Sequence, residues 1–286
     1  MKFISVTKPG IIFGNLVAVL GGYFLASPHL SHHAINLLYL LWVLLGISFV
    51  IASGCVFNNY IDRDIDRLME RTKNRVLAKD ELSPTVALSY ATLLGIMGFG
   101  ILYLKTNLLT VYITLIGFVG YAVIYSLVLK RRSVLSTPIG AIAGAVPPVA
   151  GYCAVTNQFD MGAVLAFLIL FLWQMPHFYA ITIYRIKDFA AASLPVLPLR
   201  KNIYYTQIMM LVYILAYTII TLLPTLLGYK NYLYFSIALF LGVIWFILGL
   251  SGLHTQDNKI WARKMFIFSI INLTLLCLTL VMVSLY

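Results

Sequence analysis

Three side chains that could bind a metal, Asn58, Asp62 and Asp66, are spaced by four residues in one polar segment. In a helix this spacing turns each side chain only about 40° from the previous one, so all three share a face. Two carboxylates so placed repel each other unless a positive group lies between them. Mg²⁺ is typically held by one or two carboxylates together with substrate phosphates. The spacing therefore predicts a divalent metal site.

Basic side chains accompany this segment and would suit a diphosphate. Arg63, Arg67 and Arg71 are also spaced by four, and Lys73 and Arg75 follow them. Guanidinium groups bind phosphate oxygens bidentately, and a metal can bridge the same oxygens. The combination predicts a metal–diphosphate site at the end of a helix.

A simpler interpretation is a solvated helix stabilised by its own salt bridges. Its pairs would be Arg63–Asp66, Asp64–Arg67 and Arg67–Glu70, because residues three apart are neighbours on a helix. Asp64 and Glu70 fit this structural background better than the metal site. The spacing alone leaves both interpretations open.

A second polar segment, Tyr184-Arg185-Ile186-Lys187-Asp188, follows a later apolar stretch. On its own it is weak evidence, since basic clusters at the inner ends of membrane spans are expected from topology. Asp188 gains interest because a constant offset along the chain aligns Asp62 with Asp188 and Asp66 with Ala192. A carboxylate from each segment could then face the same cavity.

His177 is the only histidine within an apolar stretch, in the tract Trp173-Gln174-Met175-Pro176-His177-Phe178. An ionisable residue at membrane depth is a functional candidate by default. The alternative, a histidine hydrogen-bonded to a neighbouring helix, is equally compatible with the sequence. If one helix ran on to Asp188, the two residues would lie about 16 Å apart along it. Trp173 and Phe178 are more typical of core or lipid contacts.

The elements that must position these residues are transmembrane helices. The chain is 62% hydrophobic and only 10% charged, whereas soluble domains are nearer half apolar. Nine stretches are long enough to cross a bilayer, at about 10–27, 36–57, 85–104, 108–129, 137–155, 161–183, 204–227, 232–253 and 265–285. The first is expected to be a span rather than a cleaved signal peptide. The sequence predicts an all-α, polytopic membrane protein with a single domain over 1–286.

The distribution of basic residues predicts the orientation. With the N-terminus in the cytoplasm, alternation across nine spans places every Lys and Arg inside except Lys105 and Lys230. This bias accounts for the net charge of +11 without a nucleic-acid partner. Both polar segments are then cytoplasmic and four spans apart, which indicates two four-helix halves plus a ninth helix.

Together these motifs resemble the UbiA-type superfamily of intramembrane prenyltransferases over nearly the whole chain, from Lys8-Pro9-Gly10 to Ile260–Lys264. The signature is N-x3-D-x3-D, with a second Asp-containing segment four helices later. The Trp173–Phe178 tract and the segment from Lys187 to Pro198 resemble the branch that farnesylates protohaem IX. Two departures from the wider superfamily are Ala192, where many relatives have a second aspartate, and Val76, where proline is common.

The resemblance implies nine transmembrane helices around a central cavity open to the cytoplasm, in the bacterial inner membrane. It implies Mg²⁺ as cofactor, and farnesyl diphosphate and haem B as substrates for making haem O, the precursor of haem–copper oxidase cofactors. Haem-handling or oxidase-assembly proteins would be possible partners. The metal group would be Asn58, Asp62, Asp66 and Asp188. The diphosphate group would be Arg67, Arg71, Lys73, Arg75 and Lys187. His177, with Trp173 and Phe178, would lie near the haem.

Two other functions fit part of the sequence. A UbiA-type enzyme acting on an aromatic quinone precursor shares the first motif, but the His177 tract and the segment after Asp188 argue against it. A two-repeat secondary transporter would carry its site near the bilayer midplane. The acidic residues here cluster at helix ends beside arginines, which is poor placement for such a site.

Overall fold

The computed structural model describes residues 2–26 and 36–285, and in this part of the chain the regular structure is entirely helical. The elements are α1 (Lys2–Val6), α2 (Pro9–Leu25), α3 (Leu37–Ile61), α4 (Arg63–Asp66), α5 (Pro84–Lys105), α6 (Leu108–Val119) continuing as a π-helix (Gly120–Leu129), α7 (Ser136–Gly144), α8 (Val146–Thr156), α9 (Met161–Tyr184), α10 (Ile186–Ala191), α11 (Leu197–Arg200), α12 (Ile203–Leu226), α13 (Tyr232–Leu250) continuing as a 3₁₀ turn (Ser251–His254), and α14 (Asn258–Leu285).

Within the described residues, eight helical segments are long and apolar enough to cross a membrane. They correspond to the predicted spans from the second to the ninth. The first predicted span is α2, which has 17 residues. That is shorter than the roughly 20 residues that cross a bilayer without strain. The all-helical membrane architecture is confirmed. That α2 also crosses the membrane, as a ninth span, stays a prediction.

Two predicted spans are less regular than their hydropathy indicates. The fifth is divided into α7 and α8 at Ala145, because Pro147 and Pro148 cannot donate hydrogen bonds to a continuing helix. The fourth begins as α6 and ends as the π-helix Gly120–Leu129. Such π-helical segments are rare and frequently occur at functional sites.

Small residues allow the helices to pack closely. A Cβ added to Gly22 of α2 would lie 1.9 Å from the carbonyl oxygen of Pro148 in α8, so these backbones touch. Gly98 of α5 also approaches α3 closely, since its Cβ would lie 2.8 Å from the Val50 nitrogen. Close backbone approach through glycine is typical of helix association in membranes. Helices α2 and α14 also contact each other, which brings the first and last long helices together.

Polar residues connect the loops at each end of the bundle. At one end, Lys8 bonds Asn58 and Arg131 bonds Asp64. We call this the basic end; it comprises Lys8, residues 62–83, residues 130–135 and residues 185–202. At the opposite end, the Tyr39 hydroxyl donates to the Ala154 carbonyl at 2.7 Å. These contacts join helix ends that an alternating topology would place on the same side, and the alternation itself stays a prediction.

Candidate active site

The Asn58–Asp66 segment presents its polar residues on one buried face, as predicted. Helix α3 ends at Ile61 and the four-residue α4 follows, so the segment is not one uninterrupted helix. The helical hydrogen bonds nevertheless continue, from Asp62 N to Asn58 O at 2.9 Å and from Asp66 N to Asp62 O at 2.8 Å. Asn58, Asp62 and Asp66 are 3%, 0% and 1% exposed.

Each aspartate uses one carboxylate oxygen in a polar contact. Asp62 Oδ2 accepts a hydrogen bond from Asn58 Nδ2 at 2.8 Å and forms an ion pair with Lys130. Asp66 Oδ2 pairs with Arg75 Nη1 at 2.7 Å. These cations supply the positive charge that two neighbouring carboxylates require.

The other oxygen of each aspartate is buried without a donor. Asp62 Oδ1 and Asp66 Oδ1 have no hydrogen-bond partner among the described residues. Leaving one such acceptor unsatisfied costs about 1–3 kcal/mol or more, so two of them in one motif indicate a ligand site. Carboxylate oxygens are the donors that Mg²⁺ prefers, and the residues fit that ion. Within residues 2–26 and 36–285, no group of three or more His, Cys, Asp or Glu residues is placed to hold a metal by itself.

Three residues that the sequence did not single out complete this network. The Lys8 ammonium donates to Asn58 Oδ1 at 2.5 Å, and Asn58 Nδ2 also donates to Ser126 Oγ at 3.1 Å. Ser126 lies in the π-helix, and Lys130 follows it. The amide of Asn58, predicted as a metal ligand, is thus used to orient Asp62. The spacing of the motif carries no signal for residues so distant in the chain.

The two lysines of the network have shifted pKa values. Burial, assisted by the nearby charges of Arg75 and Lys130, lowers the pKa of Lys8 to about 8. Burial also opposes the charge of Lys130, but Tyr125 and Asp62 outweigh it and raise the pKa of that ammonium. Lys8 has a left-handed backbone, with φ of 56°, and strain of this kind tends to collect at functional sites. The two shifts have opposite signs, so the Lys8 ammonium loses its proton more readily than the Lys130 ammonium.

The predicted diphosphate group separates into three sets. Arg75 reaches the buried carboxylates, through Asp66. Arg67 instead bonds the Ala78 carbonyl at 2.8 Å and Asp80 at 2.5 Å, and Lys73 pairs with Glu70 at 2.7 Å. These two residues stabilise their own loop. The side chains of Arg71 and Lys187 are exposed at the basic end.

The pairs expected for a helix stabilised by its own salt bridges do not form. Arg63–Asp66, Asp64–Arg67 and Arg67–Glu70 are absent from the ion pairs of the described residues. Asp64 accepts two hydrogen bonds from Arg131, each of 2.6 Å, and they lower the pKa of this carboxyl to about 2. The guanidinium of Arg63 lies over the Tyr60 ring at 4.3 Å. The pairings of that interpretation are therefore wrong, although Asp64 is indeed a surface ion-pair residue.

The second polar segment meets the first, as the predicted repeat requires. Asp188 is buried, and its Oδ1 accepts a hydrogen bond from the backbone N–H of Glu70 at 3.0 Å. An apolar cluster also joins the segments, formed by Ile65, Met69, Ala192, Leu194 and Val196. Helix α9 ends at Tyr184, so the assumption of one continuous helix from His177 to Asp188 is wrong.

His177 lies in α9, which runs through Pro176 without interruption. Its Nδ1 is 2.7 Å from the Ser269 hydroxyl of α14, and its ring stacks on Trp173 with centroids 4.6 Å apart. Phe178 lies edge-on to the imidazole, at 5.6 Å. The contact with a neighbouring helix is confirmed; a role toward haem remains a prediction.

Known proteins resemble this chain in sequence and in fold. A profile of the UbiA prenyltransferase family matches residues 15–271. Relatives named protoheme IX farnesyltransferase from Photorhabdus laumondii and Yersinia enterocolitica are each 52% identical over 273 residues, covering 96% of this chain and 92% and 91% of their own lengths.

Two solved structures share the fold. A digeranylgeranylglyceryl phosphate synthase superposes with a TM-score of 0.79 at 19% identity, covering 99% of this chain and 97% of its own. A UbiA homologue from Archaeoglobus fulgidus bound to GPP and Mg²⁺ gives 0.70 at 15% identity, covering 99% and 100%. With these matches over nearly its whole length, the chain belongs to the UbiA prenyltransferase family.

Proposed function

We propose that this protein transfers the farnesyl group of farnesyl diphosphate to a vinyl group of protohaem IX, yielding haem O. The observation that carries the proposal is the pair of donor-free oxygens of Asp62 and Asp66 beside Lys8, Arg75 and Lys130. The acceptor follows from the relatives named protoheme IX farnesyltransferase, which match along almost the entire chain at 52% identity.

The carboxylate network would bind the metal and diphosphate. Asp62 and Asp66 would hold Mg²⁺ through Oδ1, with Asn58 orienting Asp62. Mg²⁺, when bound, supplies Lewis-acid stabilisation of the charge on the leaving diphosphate. Lys8, Arg75 and Lys130 already contact these residues and could turn to phosphate oxygens. The bidentate geometry of a guanidinium suits Arg75 particularly well.

Asp188 would complete the site from the second segment. Its Oδ1 holds the Glu70 backbone, so it fixes the loop above Asp66 and adds negative charge to the same end. Arg71 and Lys187, exposed beside this loop, would guide an anionic substrate toward it. Arg67 and Lys73 would act indirectly, by shaping the loop.

The reaction would have two steps: C–O bond cleavage beside charged residues, and carbon–carbon bond formation among apolar helix walls. The C–O bond of farnesyl diphosphate breaks, the diphosphate leaves with the bonding electrons, and the basic residues stabilise its charge. Apolar helix walls keep water away from the allylic cation. The haem vinyl group attacks this cation, and water adds to the new cation with loss of a proton. The sum is haem B, farnesyl diphosphate and water giving haem O and diphosphate.

We also propose that the protein lies in the inner membrane with its basic end facing the cytoplasm. Arg131→Cys should react with an impermeant thiol reagent only from the cytoplasmic side. Tyr232→Cys, at a position 78% exposed near the opposite end, should react only from outside. The three native cysteines are buried and give little background. The reverse labelling pattern would overturn the orientation.

The acceptor is tested with purified protein, labelled farnesyl diphosphate and Mg²⁺. Haem B should become labelled, while an aromatic quinone precursor should not. Asp62→Asn should abolish labelling, and Asp64→Asn is the matched control because Asp64 lies outside the buried face. Labelling of the aromatic acid alone would move the protein to the quinone branch of the family.

A further inference from the structure

The contact between His177 and Ser269 contains information about where the histidine carries its proton. Ser269 is 0% exposed, on the face of α14 that meets α9. Its hydroxyl donates to the carbonyl oxygen of Phe266 at 2.6 Å, one turn earlier in the same helix. A carbonyl can only accept, so the single hydroxyl proton of Ser269 is committed to Phe266.

The remaining contact of the hydroxyl then has a defined direction. Ser269 Oγ lies 2.7 Å from His177 Nδ1 and has only lone pairs left for it. Nδ1 must therefore carry a hydrogen and donate it. A neutral imidazole has one such hydrogen, so its lone pair is on Nε2, at the other side of the ring.

The ring is also fixed in orientation. Trp173, one turn earlier in α9, donates its indole N–H to the Ser269 carbonyl at 2.7 Å and stacks against the imidazole at an interplanar angle of 21°. Phe266 contacts the imidazole with centroids 5.1 Å apart. One residue of α14 thus binds both Trp173 and His177, through its carbonyl and its hydroxyl respectively. His177 as a residue is partly buried between α9 and α14.

We propose that Ser269 is a positioning residue that holds His177 as the Nδ1–H tautomer and presents Nε2 as a lone-pair donor to the haem acceptor. This deepens the proposed function and rests on it. In metal-binding histidines, the partner of one ring nitrogen commonly fixes the tautomer and orientation of the other. Ser269 has this relation to His177, and its sequence context, an apolar stretch of α14, carries no sign of it.

The tautomer is measured directly by ¹⁵N NMR of protein labelled at histidine, with the His177 signal identified by its absence in His177→Gln. The wild-type protein should show the hydrogen on Nδ1, and so should Ser269→Thr, which keeps the hydroxyl. Ser269→Ala should shift the population toward Nε2–H. Thr279→Ala is the matched control, because Thr279 is a buried hydroxyl of α14 that bonds only its own helix at Leu275. Wild-type protein with the hydrogen on Nε2, or with both nitrogens protonated, would overturn the assignment.

This measurement needs no substrate, so its outcome is independent of whether haem O is formed. Kinetics then test the role. Ser269→Ala should lower kcat about tenfold with an unchanged KM for farnesyl diphosphate, as expected for a lost orienting partner, and Ser269→Thr should restore it. Equal kcat values for Ser269→Ala and Thr279→Ala would overturn the positioning role.

Binding of haem B and of metal-free protoporphyrin IX distinguishes two forms of acceptor contact. If Nε2 ligates iron, Ser269→Ala should weaken the binding of haem B alone. If Nε2 accepts a hydrogen bond from a protonated propionic acid group of the porphyrin, binding of both should weaken. Either result supports the proposal that Nε2 presents its lone pair to the acceptor. Unchanged binding of both haem B and protoporphyrin IX would contradict it.

Discussion

The two polar segments at the basic end occupy corresponding places in the predicted repeat but differ in what surrounds their carboxylates. Asp62 and Asp66 each keep one buried oxygen without a donor while the other oxygen meets a cation. Asp188, the counterpart of Asp62, accepts from a backbone amide. Ala192, the counterpart of Asp66, belongs to an apolar cluster. We therefore propose that the first segment binds the charged ligand and that the second holds the first in place.

The largest effect should come from the first segment. Asp62→Ala or Asp66→Ala should reduce farnesyl transfer roughly 1,000-fold, the scale of losing a main electrostatic group. Activity is measured with labelled farnesyl diphosphate, and insertion with the yield of monodisperse protein. Removing one member of a buried ion pair can cost about 3–5 kcal/mol of stability. Asp62→Asn combined with Lys130→Gln removes both charges and should fold well yet remain inactive. Near-normal activity in either alanine variant would leave the network without a catalytic role.

The second segment should be less sensitive at Asp188. Asp188→Asn keeps an oxygen that can accept from Glu70 N–H, so it should lose about tenfold to hundredfold in kcat, less than Asp62→Asn. Asp188→Ala removes the acceptor as well and should be worse. If Asp188→Asn proved as inactive as Asp62→Asn, the difference between the segments would disappear and direct metal binding by Asp188 would be favoured.

The pH dependence should report Lys8. Its pKa of about 8 means that the ammonium loses its proton, and its attraction for an anion, as pH rises through that value. kcat/KM for farnesyl diphosphate should therefore fall above about pH 8. Lys8→Arg keeps the charge and should move the fall to higher pH. A profile that is identical in wild type and Lys8→Arg would assign the titration to another group.

The smallest effect on catalysis should follow from Ala192→Asp, which gives the second segment the aspartate that it lacks at the position corresponding to Asp66. Ala192 packs beside Ile65 and Met69, so Ala192→Asp places a carboxylate in an apolar cluster. Burying an unpaired polar group costs about 1–3 kcal/mol, and the melting temperature should fall by a few degrees without a gain in Mg²⁺ affinity. Ala192→Val is the apolar control. Tighter Mg²⁺ binding by Ala192→Asp would show that the second segment can bind metal like the first.

Local spacing was sufficient for some of these features and insufficient for others. The shared face of Asn58, Asp62 and Asp66 follows from helical periodicity, and the all-helical membrane fold follows from hydropathy. The roles of Arg67 and Lys73 did not follow, because a basic side chain gives no indication of which acid it will meet. Asp80 lies beyond a turn from Arg67, and only the folded loop brings them together.

Contacts between residues that are distant in the chain could not be predicted from the sequence. Lys8, Ser126 and Lys130 reach Asn58 and Asp62 from distant parts of the chain, and Ser126 lies in a π-helix that apolar periodicity does not reveal. Ser269 reaches His177 in the same way. One sequence contains no information on such pairs beyond residue type. The repeat is an exception, because it predicts that Asp188 lies near the first segment.

The central claim is tested most directly by the haem in membranes of a bacterium that lacks its own haem O synthesis. Expression of this protein should convert part of the extractable haem B to haem O, identified by mass and chromatography. Asp64→Asn should do the same, whereas Asp62→Asn at equal membrane abundance should leave haem B alone. Membranes that contain abundant wild-type protein and only haem B, or that contain haem O with Asp62→Asn, would contradict the account.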